Sequence, residues 1–295
     1  MRAFLIGEQT AKGEAATSFT HVPNVRSMNL QPNVETLIEQ TIEQRLSVAY
    51  AEGGIRASGS VEAFVSTAAL KAFLKAFFLK DPSTTSGDGY TEYTFTPWDY
   101  GDTLKYHTVV GVYDSNTALR LIDAAFDSLE LSIEAGDIPT ISGDVLAAKA
   151  EKTTPPTFTP QTAPVHGFHL GSVKIGGVAV KAKSVTLTME NNLADDYFLV
   201  GARELADLLP AEFNVEAEVE IQPADWSLVE QYLSQPSPVS VEIAIVKDEN
   251  NEFLRVSFDA VITETEFPVE GAEVPSITVR LRAVSNLSVV LREPA

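Results

Sequence analysis

The 295-residue chain contains no cysteine, which excludes disulfide bonds, thiolate nucleophiles and cysteine-based zinc sites together. Histidine is scarce too, with four residues, so few general bases or metal ligands are available. No apolar run approaches the roughly 18 residues that a membrane-spanning helix needs. The first apolar stretch meets Gly7 and Glu8 too early for a secretory signal, and we therefore expect the protein to be made and folded in a cytoplasm.

Basic residues are few relative to acids: 21 Lys and Arg stand against 41 Asp and Glu, which gives a net charge of -20. An acidic surface disfavours adhesion to nucleic-acid phosphates and to anionic membranes. Two interpretations remain open. The charge serves solubility, or it belongs to a surface that nucleic acid passes without binding.

What the sequence does contain is apolar alternation with a period of two, which is typical of β-strands. Ile55, Ala57, Gly59, Val61 and Ala63 alternate with polar residues and predict a strand. The preceding Gly53-Gly54 is expected to form a turn, and residues 83–89 a polar loop. Further strand patterns lie at 29–50, 90–97, 104–113, 129–133, 138–149, 185–188, 215–221, 239–247, 253–264 and 276–290.

Residues 66–80 have the clearest helical pattern. Leu70, Phe73, Leu74, Phe77 and Phe78 recur at three- and four-residue spacing, as on the buried side of an amphipathic helix. Ser66 or Thr67 is suited to cap its start, and Asp81-Pro82 to end it. Lys71, Lys75 and Lys80 then form a solvated face, an interpretation that we prefer to nucleic-acid binding. Residues 117–135 contain a possible helical start, and residues 223–233 predict a second short helix.

Four prolines among the threonines of residues 151–165 indicate a semi-rigid linker. We divide the chain into an N-terminal arm over 1–28, a first β domain over 29–152, a Pro/Thr linker over 153–165 and a second β domain over 166–295. The fold class expected is mainly β, with two tandem β-sandwich domains, each with a short flanking α-helix.

The two halves share an order of short strings, which predicts an internal duplication. Val61-Glu62 matches Val219-Glu220, Phe126-Asp127 matches Phe258-Asp259, and the string Ile138-Pro139-Thr140-Ile141 matches Val274-Pro275-Ser276-Ile277. Two unrelated β domains with coincident turn residues are the alternative.

No motif points to catalysis, to a metal or to a cofactor. His166 and His169 have a spacing that suits a metal on a helix, but Pro164 and Gly167 disfavour a helix there. Asp88, Asp99 and Asp102 lack the spacing of a calcium loop. Gly53-Gly54 and Gly176-Gly177 lack the lysine of a phosphate-binding loop. We predict that the protein is not an enzyme and has no catalytic, metal or cofactor site.

The stretch Gly54-Ile-Arg-Ala-Ser-Gly-Ser-Val-Glu62, which leads into the Leu70 to Leu79 helix, resembles the tandem-domain branch of phage tail tube proteins. Residues 8–19 resemble the opening of such proteins. The resemblance implies a major tail tube subunit in the virion tail, assembled in the host cytoplasm. It implies stacked homotrimeric, pseudo-hexameric rings around an acidic channel through which DNA passes transiently during ejection. It further implies tape measure, tail terminator and baseplate proteins as partners, and no membrane binding by the subunit itself.

Within that resemblance, two acidic strands are candidates for the channel lining. Glu130 and Glu134 alternate with apolar residues in one strand, and Glu216, Glu218 and Glu220 do so in another. We expect these five acids to face the lumen. Two alternatives stay open: a secreted or surface adhesin-like tandem β-sandwich that binds through Trp98, Tyr100 and Tyr106, and another virion component of the decoration or baseplate type.

Overall fold

The structure is a computed structural model that describes residues 2–39, 49–222, 230, 233, 237–266 and 276–295. The expectation of a mainly β fold is confirmed, because antiparallel strands make up most of the described chain. In the first half these are β1 (Ala3–Glu8), β2 (Thr20–His21), β3 (Val25–Glu39), β4 (Ala49–Phe64), β5 (Ser83–Gly87), β6 (Tyr90–Phe95), β7 (His107–Val112), β8 (Ala118–Glu134) and β9 (Thr140–Thr153). In the second half they are β10 (Gly171–Ile175), β11 (Val178–Val180), β12 (Ala182–Glu190), β13 (Asn214–Ile221), β14 (Val239–Asp248), β15 (Glu252–Glu266) and β16 (Ile277–Pro294).

Eight strands form a continuous row in the order β3-β4-β9-β8-β12-β13-β16-β15. The longest strands extend beyond this row, and their remaining parts pair with further strands. β8 also pairs with β7, which continues into β1 and β2, while β15 pairs with β14 and β16 with β6. The strands therefore enclose a common core between the row and its extensions.

Two pairs of the described strands join the two halves in this hydrogen-bonded network. β8 of the first half pairs with β12 of the second, and β6 of the first pairs with β16 of the second. The predicted linker is also docked rather than free. The Phe158 ring stacks on His21 with the ring centroids 5.6 Å apart, and the Gln161 backbone N–H donates to Nδ1 of His21 at 3.1 Å. The halves are therefore joined by much more than the linker.

Helix α1 (Thr67–Phe77) confirms the first predicted helix. The Ser66 hydroxyl accepts a hydrogen bond from the Ala69 N–H at 3.3 Å and caps the helix start. Its apolar side is fully buried, and the Phe73 ring lies 5.4 Å from that of Phe126 on β8. The second predicted helix, over 223–233, lies outside the described residues except for Glu230 and Leu233, both of which are helical.

Three local expectations were wrong. Gly53 and Gly54 lie within strand β4 and form no turn. Glycine fits both positions because neighbouring side chains lie close to the backbone there. A Cβ on Gly54 would meet the Phe198 ring at 2.6 Å, and one on Gly53 would meet Glu35 at 2.9 Å. Residues 83–87 are strand β5 rather than loop, because they pair with β6. Residues 118–134 are one uninterrupted strand with no helical start.

The expected N-terminal arm, residues 1–28, begins with a core strand. Phe4 and Leu5 of β1 are fully buried, since β1 pairs with β7 along its whole length. The segment that follows folds back onto the same chain. The Gly13 N–H donates to Asp123 at 2.7 Å, and the Ala16 N–H donates to the Thr108 hydroxyl at 2.8 Å. In the single chain this segment is therefore packed against the first half.

Candidate functional site: a polar face across eight strands

The five acids singled out from the sequence lie on one face of the strand row. β12 runs between their two strands, and the register places Glu130 and Glu216 on either side of Thr188. Glu134 and Glu220 flank Ser184 in the same way. The side chains that alternate with them, such as Leu131 and Val219, are buried in the core. Alternation along each strand and register across strands thus bring the five carboxylates together.

The same face continues over all eight strands. β3 and β4 contribute Ser27, Asn29, Ser60 and Glu62; β9 contributes Ser142 and Asp144; β16 contributes Thr278, Arg280 and Arg282; and β15 contributes Glu264 and Glu266. The sequence reasoning missed five of its acids, which are Glu62, Asp144, Glu190, Glu264 and Glu266. Each of these lies opposite a polar residue of the next strand. They can be assigned to this face only when the strand order is known, because the sequence of one strand does not show which strands pair with it.

Basic side chains neutralise part of this face. Arg280 binds Glu218 at 2.9 Å and Glu264 at 2.5 Å, and its hydrogen bond with Glu218, followed by that with Glu264, raises the pKa of the guanidinium. Lys183 binds Glu220 at 3.0 Å. Glu130, Glu134 and Glu216 make no ion pair with any other described residue. The uncompensated negative charge is therefore concentrated around β8 and β12.

One side-chain arrangement occurs twice on the face. Ser27 donates to Glu62 at 3.4 Å, and Arg26 binds the same carboxylate at 2.9 Å. In the second half Ser184 donates to Glu220 at 3.4 Å, and Lys183 binds that carboxylate. Both serines follow a bulge, at Val25/Ser27 in β3 and at Ala182/Ser184 in β12. β3 and β4 of the first half thus correspond to β12 and β13 of the second.

The closing hairpins correspond at a constant offset of 136 residues. The opposed pairs Ala124–Ala147, Phe126–Val145 and Glu130–Ser142 become Ala260–Ala283, Ile262–Leu281 and Glu266–Thr278. A bulge follows Phe126 and another follows Ile262, at matching places. One sequence match changes under this offset. Phe258-Asp259 corresponds to Ile122-Asp123, and not to Phe126-Asp127 as the sequence pattern predicts.

A family model for phage tail tube proteins matches residues 2–283 of the chain. The chain belongs to the phage tail tube protein family. A search of curated proteins gives no significant match. Membership of this family means that the tail tube protein is a structural component of the virion tail and assembles with copies of itself.

Other candidate groups on the tail tube protein are separated by the fold. His166 is buried, with Nε2 3.1 Å from the Thr67 hydroxyl, and burial lowers its pKa, whereas His169 is exposed. Asp102 binds Lys80 at 2.8 Å, and Asp88 lies on the separate β5–β6 turn. Among the described residues no group of three or more histidines and acids is placed to hold a metal ion. No described helix is long and apolar enough to cross a membrane.

The aromatic residues considered for an adhesin-like site do not form one exposed patch on this tail tube protein. Trp98 packs against a buried apolar cluster, and its indole N–H donates to the Asp102 carbonyl at 3.0 Å. The Tyr106 hydroxyl donates to Asp207; burial, followed by this hydrogen bond, raises the tyrosine pKa. Tyr100 alone of the three is freely exposed, at 94%. Trp98 and Tyr106 therefore take part in contacts between the two halves, whereas the Tyr100 ring lies beside that of Trp98 with the ring centroids 5.5 Å apart.

Proposed function

We propose that this tail tube protein forms stacked rings of three copies, in which the polar face of each copy lines an acidic channel for DNA during ejection. The observation that carries the proposal is the joint between β8 and β12. This joint connects the two halves of one chain and leaves two matching strand edges without a partner among the described residues, which are that of β3 and that of residues 261–266 of β15. A second copy offers the complementary edge to each of them.

Two repeated features support a domain duplication, which is part of the proposal. The repeated serine, base and carboxylate arrangement and the constant hairpin offset are what two diverged tube domains would retain. We assign the domains to 29–152 and 166–295, with an N-terminal arm over 1–28 and a linker over 153–165. Two unlike domains in one chain give a ring of three copies six similar positions, which alternate around it.

The two edges without a described partner correspond to the two strands that pair within the chain. β3 corresponds to β12 but pairs only with β4 among the described strands, and the end of β15 corresponds to the part of β8 that pairs with β12. Exposed strand edges invite pairing with another chain. Copying the β8–β12 register places Glu266 of one copy opposite Gln31 of the next, as Glu130 lies opposite Thr188.

A groove beside β3 supports the same joint. Arg26, Ser27 and Met28 border an open groove of about 580 Å³. The corresponding residues of β12 border a groove of about 160 Å³, which Ile133 and Ala135 at the end of β8 help to line. Ring closure would narrow the larger groove in the same way, since it brings the hairpin of β15 and β16 from the neighbouring copy to this edge.

The channel lining follows from the charge of the polar face. We assign Glu130, Glu134, Glu216, Glu218 and Glu220 to the lumen, together with the acids that flank them. Negative side chains around a lumen repel phosphates through space and disfavour adhesion of a moving DNA. Tape measure protein within the tube, and terminator and baseplate proteins at its ends, are the partners that this function requires after assembly in the host cytoplasm.

Engineered disulfides test ring closure directly, because the chain has no cysteine. Residues that lie directly opposite each other on paired strands are close enough for a disulfide. Gln31→Cys combined with Glu266→Cys is expected to yield covalent dimers and trimers on oxidation. Glu130→Cys combined with Thr188→Cys is the matched control, since its bond forms within one chain. If the control oxidises fully while the first variant stays monomeric under assembly conditions, the proposed joint is wrong.

A further inference from the structure

The connection between β12 and β13, residues 191–213, packs back onto the first half of its own chain. Leu193, Leu205 and Leu208 are buried in a cluster with Ala125 and Ala148. Polar contacts reinforce this packing on β4, where Arg56 binds Asp195 at 2.6 Å and the Ile55 N–H donates to the Arg203 carbonyl at 2.6 Å. We call the two corresponding halves the first and the second repeat. A connection of the second repeat thus covers the first repeat, at the far end of the strands that form the polar face.

The corresponding connection of the first repeat is the distal part of the β3–β4 hairpin, of which residues 34–39 and 49–55 are described. Four apolar side chains of this described part are exposed: Val34 by 60%, Leu37 by 47%, Ile38 by 62% and Tyr50 by 83%. Exposed apolar residues gathered on one element point to an interaction surface. Leu37 and Ile38 are consecutive in β3 and point to opposite faces of the hairpin, so these four residues, which we call the hairpin patch, cover both of its faces.

The surface that would receive this patch is uncovered in the second repeat. The offset of 136 residues between the β8–β9 and β15–β16 hairpins makes Ala125 and Ala148 correspond to Val261 and Val284. Ala148 is 5% exposed beneath the 191–213 connection, whereas Val284 is 53% exposed. Val261 is half-buried, whereas Ala125 is fully buried. The second repeat therefore carries larger apolar side chains at two positions that are covered in the first.

We propose that the face of the hairpin patch that includes Leu37 packs on Val261 and Val284 of the neighbouring copy, as residues 191–213 pack on Ala125 and Ala148 within the chain. The inference rests on the proposed ring. β12 pairs with β8, and its connection covers the repeat that contains β8. If β3 pairs with β15 of the next copy, its connection reaches the repeat that contains β15. The occupant is thus a second copy of this chain, and each ring joint buries an apolar contact besides the paired strands.

Mixing two single-cysteine variants tests the contact between copies. Leu37→Cys and Val284→Cys copies, distinguished by tags of different length, are co-assembled and oxidised. The heterodimer band is expected to form at several times the yield given by Leu37→Cys with Val178→Cys, a control position on β11 that is 66% exposed and so at least as accessible as Val284. Equal yields in the two mixtures, with rings visible in the same samples, would overturn the inference and leave the proposed function standing. Absence of any assembly by the unmodified protein would overturn both.

A charge placed at the receiving surface provides a second readout. Val284→Asp is expected to keep the thermal unfolding temperature of the single chain, because the side chain is exposed there. It should raise the protein concentration needed for tube assembly by about tenfold, since a carboxylate would be buried without a partner at each joint. Val178→Asp is the control and should assemble as the unmodified protein does. A Val284→Asp variant that assembles at the unmodified concentration contradicts the proposed contact.

Discussion

Asn191 links the two halves through a single buried side chain. Its amide donates to the Phe77 carbonyl at 2.8 Å and to the Phe126 carbonyl at 2.9 Å, one at the end of α1 and the other in β8. The residue itself begins the connection between β12 and β13 and is 4% exposed. Two carbonyls of the first half thus accept hydrogen bonds from one buried residue of the second.

Replacing this amide by an apolar side chain tests that dependence. Asn191→Leu removes one buried donor from each of these carbonyls, so we expect the free energy of unfolding to fall by about 2–4 kcal/mol. Asn116→Leu, in the exposed turn between β7 and β8, is the control and should change it by less than about 0.5 kcal/mol. Chemical denaturation of the two variants gives the comparison. Equal stabilities would show that water replaces the lost donor.

His107 gives the stability a dependence on pH. Burial lowers the pKa of this histidine to about 4, and its Nδ1 has no hydrogen-bond partner among the described atoms. The folded protein keeps the ring neutral, whereas the unfolded chain binds a proton near pH 6.5. Stability from this group is therefore present above about pH 6.5 and is lost as the pH falls towards 4.

The His107→Leu variant should reduce that dependence. Between pH 7 and pH 5 the free energy of unfolding is expected to fall by about 1–2 kcal/mol less in the variant than in the unmodified protein. Denaturation curves at both pH values measure the difference. An unchanged pH dependence would mean that the ring is charged when folded, in contradiction to its burial.

At the scale of elements, α1 is the piece whose existence and burial were both predictable. Its apolar residues repeat with the helical period, and the structure buries that side against β8. Phe73→Ala should therefore lower the free energy of unfolding by about 3–5 kcal/mol through the cavity that it leaves. Lys75→Ala, on the exposed side of the same helix, should have little effect. Similar losses in both variants would contradict the assigned buried side.

Alternation was enough to predict most strands, since a strand with one buried face repeats every two residues. It failed at Gly53-Gly54, where glycine serves the close approach of Phe198 and not a turn. The polar face was predicted only in part for a different reason. Glu216, Glu218 and Glu220 are visible as a run, but Glu264 and Glu266 join the face through the pairing of β15 with β16. Pairing between distant strands depends on the whole fold and is not encoded in one strand's pattern.

At the scale of the whole molecule, the charge of the polar face is the feature that a channel would use. Glu130→Lys with Glu216→Lys changes two acids that have no described ion pair, so no buried bridge is lost. We expect tubes to form but infectivity to fall, on the order of tenfold, because lysines in the lumen would attract the phosphates of passing DNA.

Glu14→Lys with Asp88→Lys is the control for that experiment. It makes the same change in net charge at exposed sites away from the polar face. Phage carrying each double variant are compared by plaque titre and by DNA release in vitro. Equal titres for the two variants would remove these acids from the channel lining.

Electron microscopy of the purified protein at high concentration tests the central claim most directly. Negatively stained samples are expected to contain rings and hollow tubes with a narrow lumen, and averaged end views should show threefold symmetry with six similar densities. The strand edges that have no partner among the described residues of the single chain would then be closed by neighbouring copies. A particle that remains monomeric and compact under every condition would contradict the account.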